Sequence, residues 1–195
     1  MNAAGMLGFA PPPVWPLPVA PVAFVTNPIS YKPRYPAVNR NLIVFPGGVL
    51  LHSGSPNPGF TRVLKDFSKR WSQSEVPVWV HILGEDPAGV KAMVRKLEDI
   101  DGVRAIELGL PPKQNPVDWL DMIQAAVGEL PLVLNIPLDC SDSTWLQTAA
   151  KAGVSAISLG APRGSVRGVD GSILQGRIYG PALMPQTLMA VNRLK

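Results

Sequence analysis

Cysteine occurs once in this chain, at Cys140, so an internal disulfide and a cysteine-based metal cluster are both excluded. The two histidines, His52 and His81, stand in no metal-ligand spacing, and no metal site is predicted. Charge is also scarce: 16% of residues are charged, and the excess is a mild +4. The short basic set Lys65, Lys69 and Arg70 falls on a predicted helix, and no aromatic stripe interleaves with it. That reads as a solvated helix face, and a nucleic-acid partner is not expected. Uninterrupted apolar runs are missing too. Proline breaks the stretch Met6–Val25 too often for a membrane span, and no basic leader precedes it. The expectation is a cytoplasmic protein with no membrane partner.

What the chain does have is a repeating β/α rhythm. The apolar runs VPVWVHILG, GVRAIELG, LPLVLNIP and GVSAISLG end at Gly84, Gly109, Pro137 and Gly160, each after a helix-like stretch. Their spacing of roughly 25 residues is that of a β/α unit in a parallel sheet. A hydrophobic content of 46% suits strands buried on both faces. The 195 residues are read as a single domain, 1–195, with a proline-rich loop at 10–21 and a long excursion at 27–59. Within that excursion Leu42–Phe45, stopped by Pro46-Gly47-Gly48, predicts a hairpin strand.

Helices are predicted over Gly59–Ser74, Pro87–Ile100, Asn115–Val127, Ser143–Ala152 and Pro181–Leu194. Asp86 and Asn115 cap two of them, each with proline at the first helical position, and Gly153 closes the fourth. Parallel strands are predicted at Met1–Ala3, Val22–Thr26, Val78–Leu83, Val103–Leu108, Leu132–Ile136 and Val154–Leu159. The fold class is α/β, an incomplete TIM (β/α)8-barrel type of about six strands. A complete barrel takes about 250 residues, so the last two β/α units are expected to be missing.

Several segments resemble, in order, the dihydroorotate dehydrogenase family. Met1-Asn2-Ala3-Ala4-Gly5 with Leu7-Gly8-Phe9 is similar to N-A-S-G-T-x-G-F after the first strand. Phe24-Val25-Thr26-Asn27 and Lys32-Pro33-Arg34 resemble V-T-K-S…x-P-R. Pro46-Gly47-Gly48 and Gly54-Ser55-Pro56-Asn57-Pro58-Gly59 resemble P-G-G…G-L-x-N-P-G. Ile106-Glu107-Leu108 resembles I-E-L-N, and Arg177–Pro185 resembles G-L-S-G-x-A-L-K-P.

The resemblance implies an FMN-dependent oxidoreductase of the pyrimidine-biosynthesis type, with a small-molecule ligand at the barrel mouth. It assigns FMN contacts to Ala3, Ala4, Gly5, Asn27, Asn135, Tyr179 and Gly180, and substrate contact to Asn57. The departures fall on chemistry. Asn27 and Asn135 stand where the family has lysines, and Leu51 where it has its first substrate asparagine. The N-x-S-C-P-N loop is replaced by Gly109–Gln114, with Pro112 at the base position. No catalytic residue is therefore assigned, and the family activity is expected to be lost or weak.

Other residues are open between two roles. Gly5, Gly48, Gly54 and Gly59 serve either tight turns or close ligand approach. Arg163 and Arg167, in a glycine-rich loop after the sixth strand, are candidate anion binders, with Arg163 assigned to substrate. Glu107, inside a strand, needs a partner, for which Arg104 and His81 are available. His81 reads as a satisfied interior histidine, and Cys140, with no adjacent base, as an inert thiol. The alternative function is a non-catalytic scaffold or partner-dependent subunit. Open strand edges would then be covered by a homo-oligomer or partner chain.

Overall fold

Alternation along each strand decides which side chains meet the helices and which line the inside. A computed structural model describes residues 1–15, 21–38, 41–110, 116–141, 145–168 and 170–194. Its elements run β1 (Phe24–Val25), β2 (Asn41–Phe45), β3 (Gly48–His52), α1 (Phe60–Ser72), β4 (Val78–Leu83), α2 (Pro87–Glu98) and β5 (Val103–Gly109). They continue α3 (Pro116–Ala126), β6 (Leu132–Pro137), α4 (Trp145–Lys151), β7 (Val154–Gly160), β8 (Arg163–Arg167), β9 (Ile173–Tyr179) and α5 (Met184–Leu194).

The strands form two sheets. Five are parallel in the order β1-β4-β5-β6-β7 and curl with their helices into part of a TIM-type barrel. Val80, Ile82, Ile106, Leu108, Leu134 and Ile136 join the core with Val90, Met93, Leu97, Met122 and Ile123 of the helices. The other four strands form an antiparallel sheet, β2-β3-β9-β8. The hairpin predicted at Leu42–Phe45 is present, pairing Asn41–Phe45 with Gly48–His52.

Two expectations need correction. Met1–Ala3 is not a strand. Instead the Asn2 side chain mimics one: its Nδ2 donates to Val25 O at 2.7 Å and its Oδ1 accepts from Val25 N at 2.8 Å. One amide satisfies the edge of β1, so no first strand is needed. Five parallel strands therefore replace the six expected. The stretch after Gly160 is also not merely a glycine-rich loop. It forms β8 and β9, whose glycines obscured the alternation. Gly164 and Gly176 face each other in register, and a Cβ on Gly176 would lie 2.6 Å from Leu51 O.

The predicted helices are present with shorter ends. The Asp86 carboxylate accepts from Gly89 N at 2.7 Å, as its capping role requires. Gly153 follows α4 with φ +106°, the left-handed conformation that closes a helix. Asn115 and Ser143 lie outside the described residues. Trp71 in α1 is fully buried and donates from Nε1 to Phe9 O at 2.7 Å, tying the N-terminal segment to the barrel.

Candidate functional site

Parallel strands deliver their outgoing ends to one rim, and side chains there are held by rigid backbone. At this rim β4 ends in Leu83, followed by Gly84 and Glu85, while β5 ends at Gly109 before Leu110. All five residues line a cavity of about 560 Å³. Its opposite wall is the antiparallel sheet, which contributes Leu51, Arg163, Ser165, Gln175 and Arg177. Arg34 enters from the excursion, its Nη1 2.9 Å from Glu85 Oε1 and its Nε donating to Gly54 O at 3.2 Å.

The loop carrying Arg34 is fixed by Asn57. Asn57 Oδ1 accepts from Gly59 N at 3.0 Å and Ser30 N at 3.2 Å. Its Nδ2 donates to Ser30 Oγ at 3.0 Å and Ser55 O at 3.1 Å. Every polar position of this buried amide is used internally. Asn57 clamps the 54–59 turn onto the 30–34 segment. Gly59, at φ +82°, completes the clamp, because a Cβ there would lie 2.8 Å from Pro33 N.

Inside the barrel, beneath the cavity, a polar row crosses four strands. His81 Nδ1 is 2.5 Å from Glu107 Oε2, Ser158 Oγ donates to Glu107 Oε1 at 2.6 Å, and Asn135 Nδ2 donates to Ser158 Oγ at 2.8 Å. His81, not Arg104, is thus the partner of Glu107. Burial pushes the Glu107 carboxyl up, but the His81 hydrogen bond and charge, with Ser158 and Asn135, hold it below the usual glutamate range. Gly109 makes room for the imidazole, since a Cβ there would lie 2.7 Å from His81 Nε2.

The remaining predicted residues are dispersed. Asn27 Oδ1 accepts from Gly8 N at 3.1 Å while its own N–H donates to Gly8 O at 2.7 Å, so it organises the first turn. Gly5, after Ala3 and Ala4, sits beside Pro28. Tyr179 is half-exposed at the end of β9, and Gly180 packs on the hairpin turn Gly47–Gly48. Arg163 lies in the cavity wall, while Arg167, at the far end of β8, is not among its lining residues. Burial raises the Cys140 thiol above its ordinary value and Asp139 adds to this, with Arg163 acting the other way. Pro112 and the rest of 111–115 lie outside the described residues. Among the described residues no cluster suits a metal ion, and no helix is long and apolar enough to cross a membrane. Arg177 and Ser158 were not singled out from sequence, although the alternation in ILQGRIY signals a strand carrying Arg177.

A parallel α/β partial barrel with a polar cavity at its outgoing rim defines a TIM-barrel type of protein. No family model matches the chain. It is 30% identical over 148 residues to the catalytic subunit of dihydroorotate dehydrogenase B (NAD(+)) of Pyrococcus furiosus, covering 69% of this chain and 49% of that protein. The Desulforudis audaxviator protein of the same name is 26% identical over 189 residues, 87% of this chain and 61% of its own. The Pyrococcus abyssi protein is 28% identical over 145 residues, 69% and 48% of the two chains. The chain spans about half the length of these curated relatives. These likenesses support a divergent dihydroorotate dehydrogenase-family member.

Proposed function

We propose that this chain is a dihydroorotate dehydrogenase-like flavin oxidoreductase homologue that keeps the family's small-molecule cavity but has lost the tight FMN site and the family's acid–base chemistry. The observation that carries this reading is the polar cavity at the outgoing rim of a chain similar to these dehydrogenases. FMN, when bound by such barrels, supplies hydride acceptance.

The residues assigned to FMN by resemblance do not fit a firmly held flavin. Asn27 is bonded to Gly8, Asn135 Nδ2 to Ser158, and Gly180 is packed against Gly47 and Gly48. Neutral amides at the two lysine positions supply no charge to a developing anion. A proline at the base position accepts no proton. Each such loss lowers turnover by roughly 10²–10⁴-fold. Asn57 supports the cavity as a clamp, and Arg163 faces the ligand.

The visible spectrum of the purified protein tests this. The expected preparation is colourless, and added FMN keeps the absorbance of free flavin. A yellow preparation retaining stoichiometric FMN, or one oxidising dihydroorotate at a rate typical of enzymes, overturns it.

A second reading, a partner-dependent subunit, is favoured by one observation. Strand β7 ends the parallel sheet, and beside it Leu146, Val154, Ile157, Val191 and Leu194 line an apolar groove of about 460 Å³. Light scattering at rising concentration tests self-association. A monomer throughout removes the homo-oligomer, and co-purification of a defined second chain supports a partner.

A further inference from the structure

Arg163 and Arg177 are directly opposite each other in the antiparallel pairing of β8 with β9. Directly paired residues point to the same face of a sheet, so this register brings two like charges together. Such a pair is destabilising unless something offsets it. Burial lowers the basicity of Arg163, and the charge of Arg177 lowers it further, with only partial relief from Asp139 and Cys140. Among the described residues neither guanidinium has a carboxylate within ion-pair distance, in contrast to Arg34, which has Glu85. Arg177 Nη1 donates to Ala161 O at 3.0 Å, which fixes one prong of its fork and leaves the rest for another acceptor.

Both arginines line the cavity at the outgoing rim, and the next register pair on the same face, Ser165 and Gln175, lines it too. Two cationic forks beside a hydroxyl and an amide form a recognition surface for an oxyanion carried on a small polar body. A cavity of about 560 Å³ is the size of a small-molecule site.

We propose that Arg163 and Arg177 form an anion-binding site for a compact oxyanionic small molecule, a carboxylate or a phosphate, whose charge relieves their repulsion. The site deepens the small-molecule reading above by naming the ligand's chemistry, but it does not depend on whether flavin binds.

Calorimetric titration of the full chain with orotate, orthophosphate and pyrophosphate tests it, with the visible spectrum after FMN addition as a separate readout. At least one anion should bind saturably, and the affinity should fall as sodium chloride is raised. Preference for orotate identifies a carboxylate ligand, and preference for either phosphate a phosphorylated one. Arg163→Gln and Arg177→Gln should each weaken binding by about 10–100-fold, the loss of a charge-assisted hydrogen bond. Arg167→Gln removes the same charge from the same strand outside the cavity and should leave the affinity within about twofold. Without ligand, Arg163→Gln should melt no lower than the parent, since repulsion is removed, whereas Arg177→Gln also gives up the bond to Ala161 O. No saturable binding of any of the three anions, equal weakening by Arg167→Gln, or unchanged affinity in both cavity variants overturns the proposal. A changed flavin spectrum with intact anion binding counts against the reading of the flavin site alone.

Discussion

His81 and Glu107 stand opposite each other on adjacent parallel strands, with Nδ1 of the imidazole 2.5 Å from Oε2 of the carboxylate. Both side chains are buried, and the second carboxylate oxygen is taken by Ser158. A carboxylate in a barrel interior is tolerated only when its lone pairs are used, and here three strands cooperate to use them.

The pH dependence follows from that geometry. The Glu107 carboxyl is held below its ordinary range when folded, so its contribution to stability is complete above the unfolded value and is lost as pH falls through the folded one. Urea midpoints should therefore begin to drop as pH falls through the ordinary glutamate range, about pH 4, and go on dropping below it. Glu107→Gln should be less stable at neutral pH but should show a shallower acid decline. Parallel pH curves for parent and variant would show that Glu107 is not the group responsible.

Asn57→Ala should cost about 2–3 kcal/mol, because two backbone N–H groups and a carbonyl lose their buried partner. Denaturant unfolding measures this. A loss below about 0.5 kcal/mol, the scale of an inconsequential surface change, would mean that Asn57 is not a clamp.

Gly176→Val places a branched side chain against Leu51 O and the Leu50 side chain, between β3 and β9. Overpacking of this kind costs about 1–3 kcal/mol. Amide exchange should quicken in β8 and β9 while β4, β5 and β6 stay protected, since they belong to the other sheet. Uniform quickening across both sheets would contradict the separation.

Trp71→Phe removes the bond to Phe9 O and leaves a cavity where a fully buried indole was. Melting should fall by several degrees. Chymotrypsin should cut at Phe9 faster than in the parent. Unchanged cleavage would show that Phe9 is held by other contacts, such as its ring packing on Phe67 at 5.6 Å.

The parallel sheet was legible because its strands are continuous apolar runs bounded by glycine or proline, and a buried strand can be little else. The antiparallel sheet was only half legible. Leu42–Phe45 announced itself by its turn, but β8 and β9 carry glycines at the positions where their neighbours press closest, so the signal for a strand read as a loop. Register was beyond sequence altogether. That Arg163 meets Arg177, and that Asn57 bonds both the backbone and the hydroxyl of Ser30, depend on pairings between segments more than ten residues apart. Arg167 stands beside a glycine too and shares a face of β8 with Arg163 and Ser165, yet it lies at the strand's far end, beyond the cavity lining.

Asn2 has one further effect. By occupying Val25 on both its donor and its acceptor, it stops the ladder on that flank, whereas β7 ends it on the other with its outward groups free of any described strand. Among the described residues, growth of the parallel sheet by strand addition therefore has a single direction. Two copies meeting through β7 would face each other about a twofold axis and consume the one flank of the parallel sheet left open among the described residues, so that sheet would close as a pair.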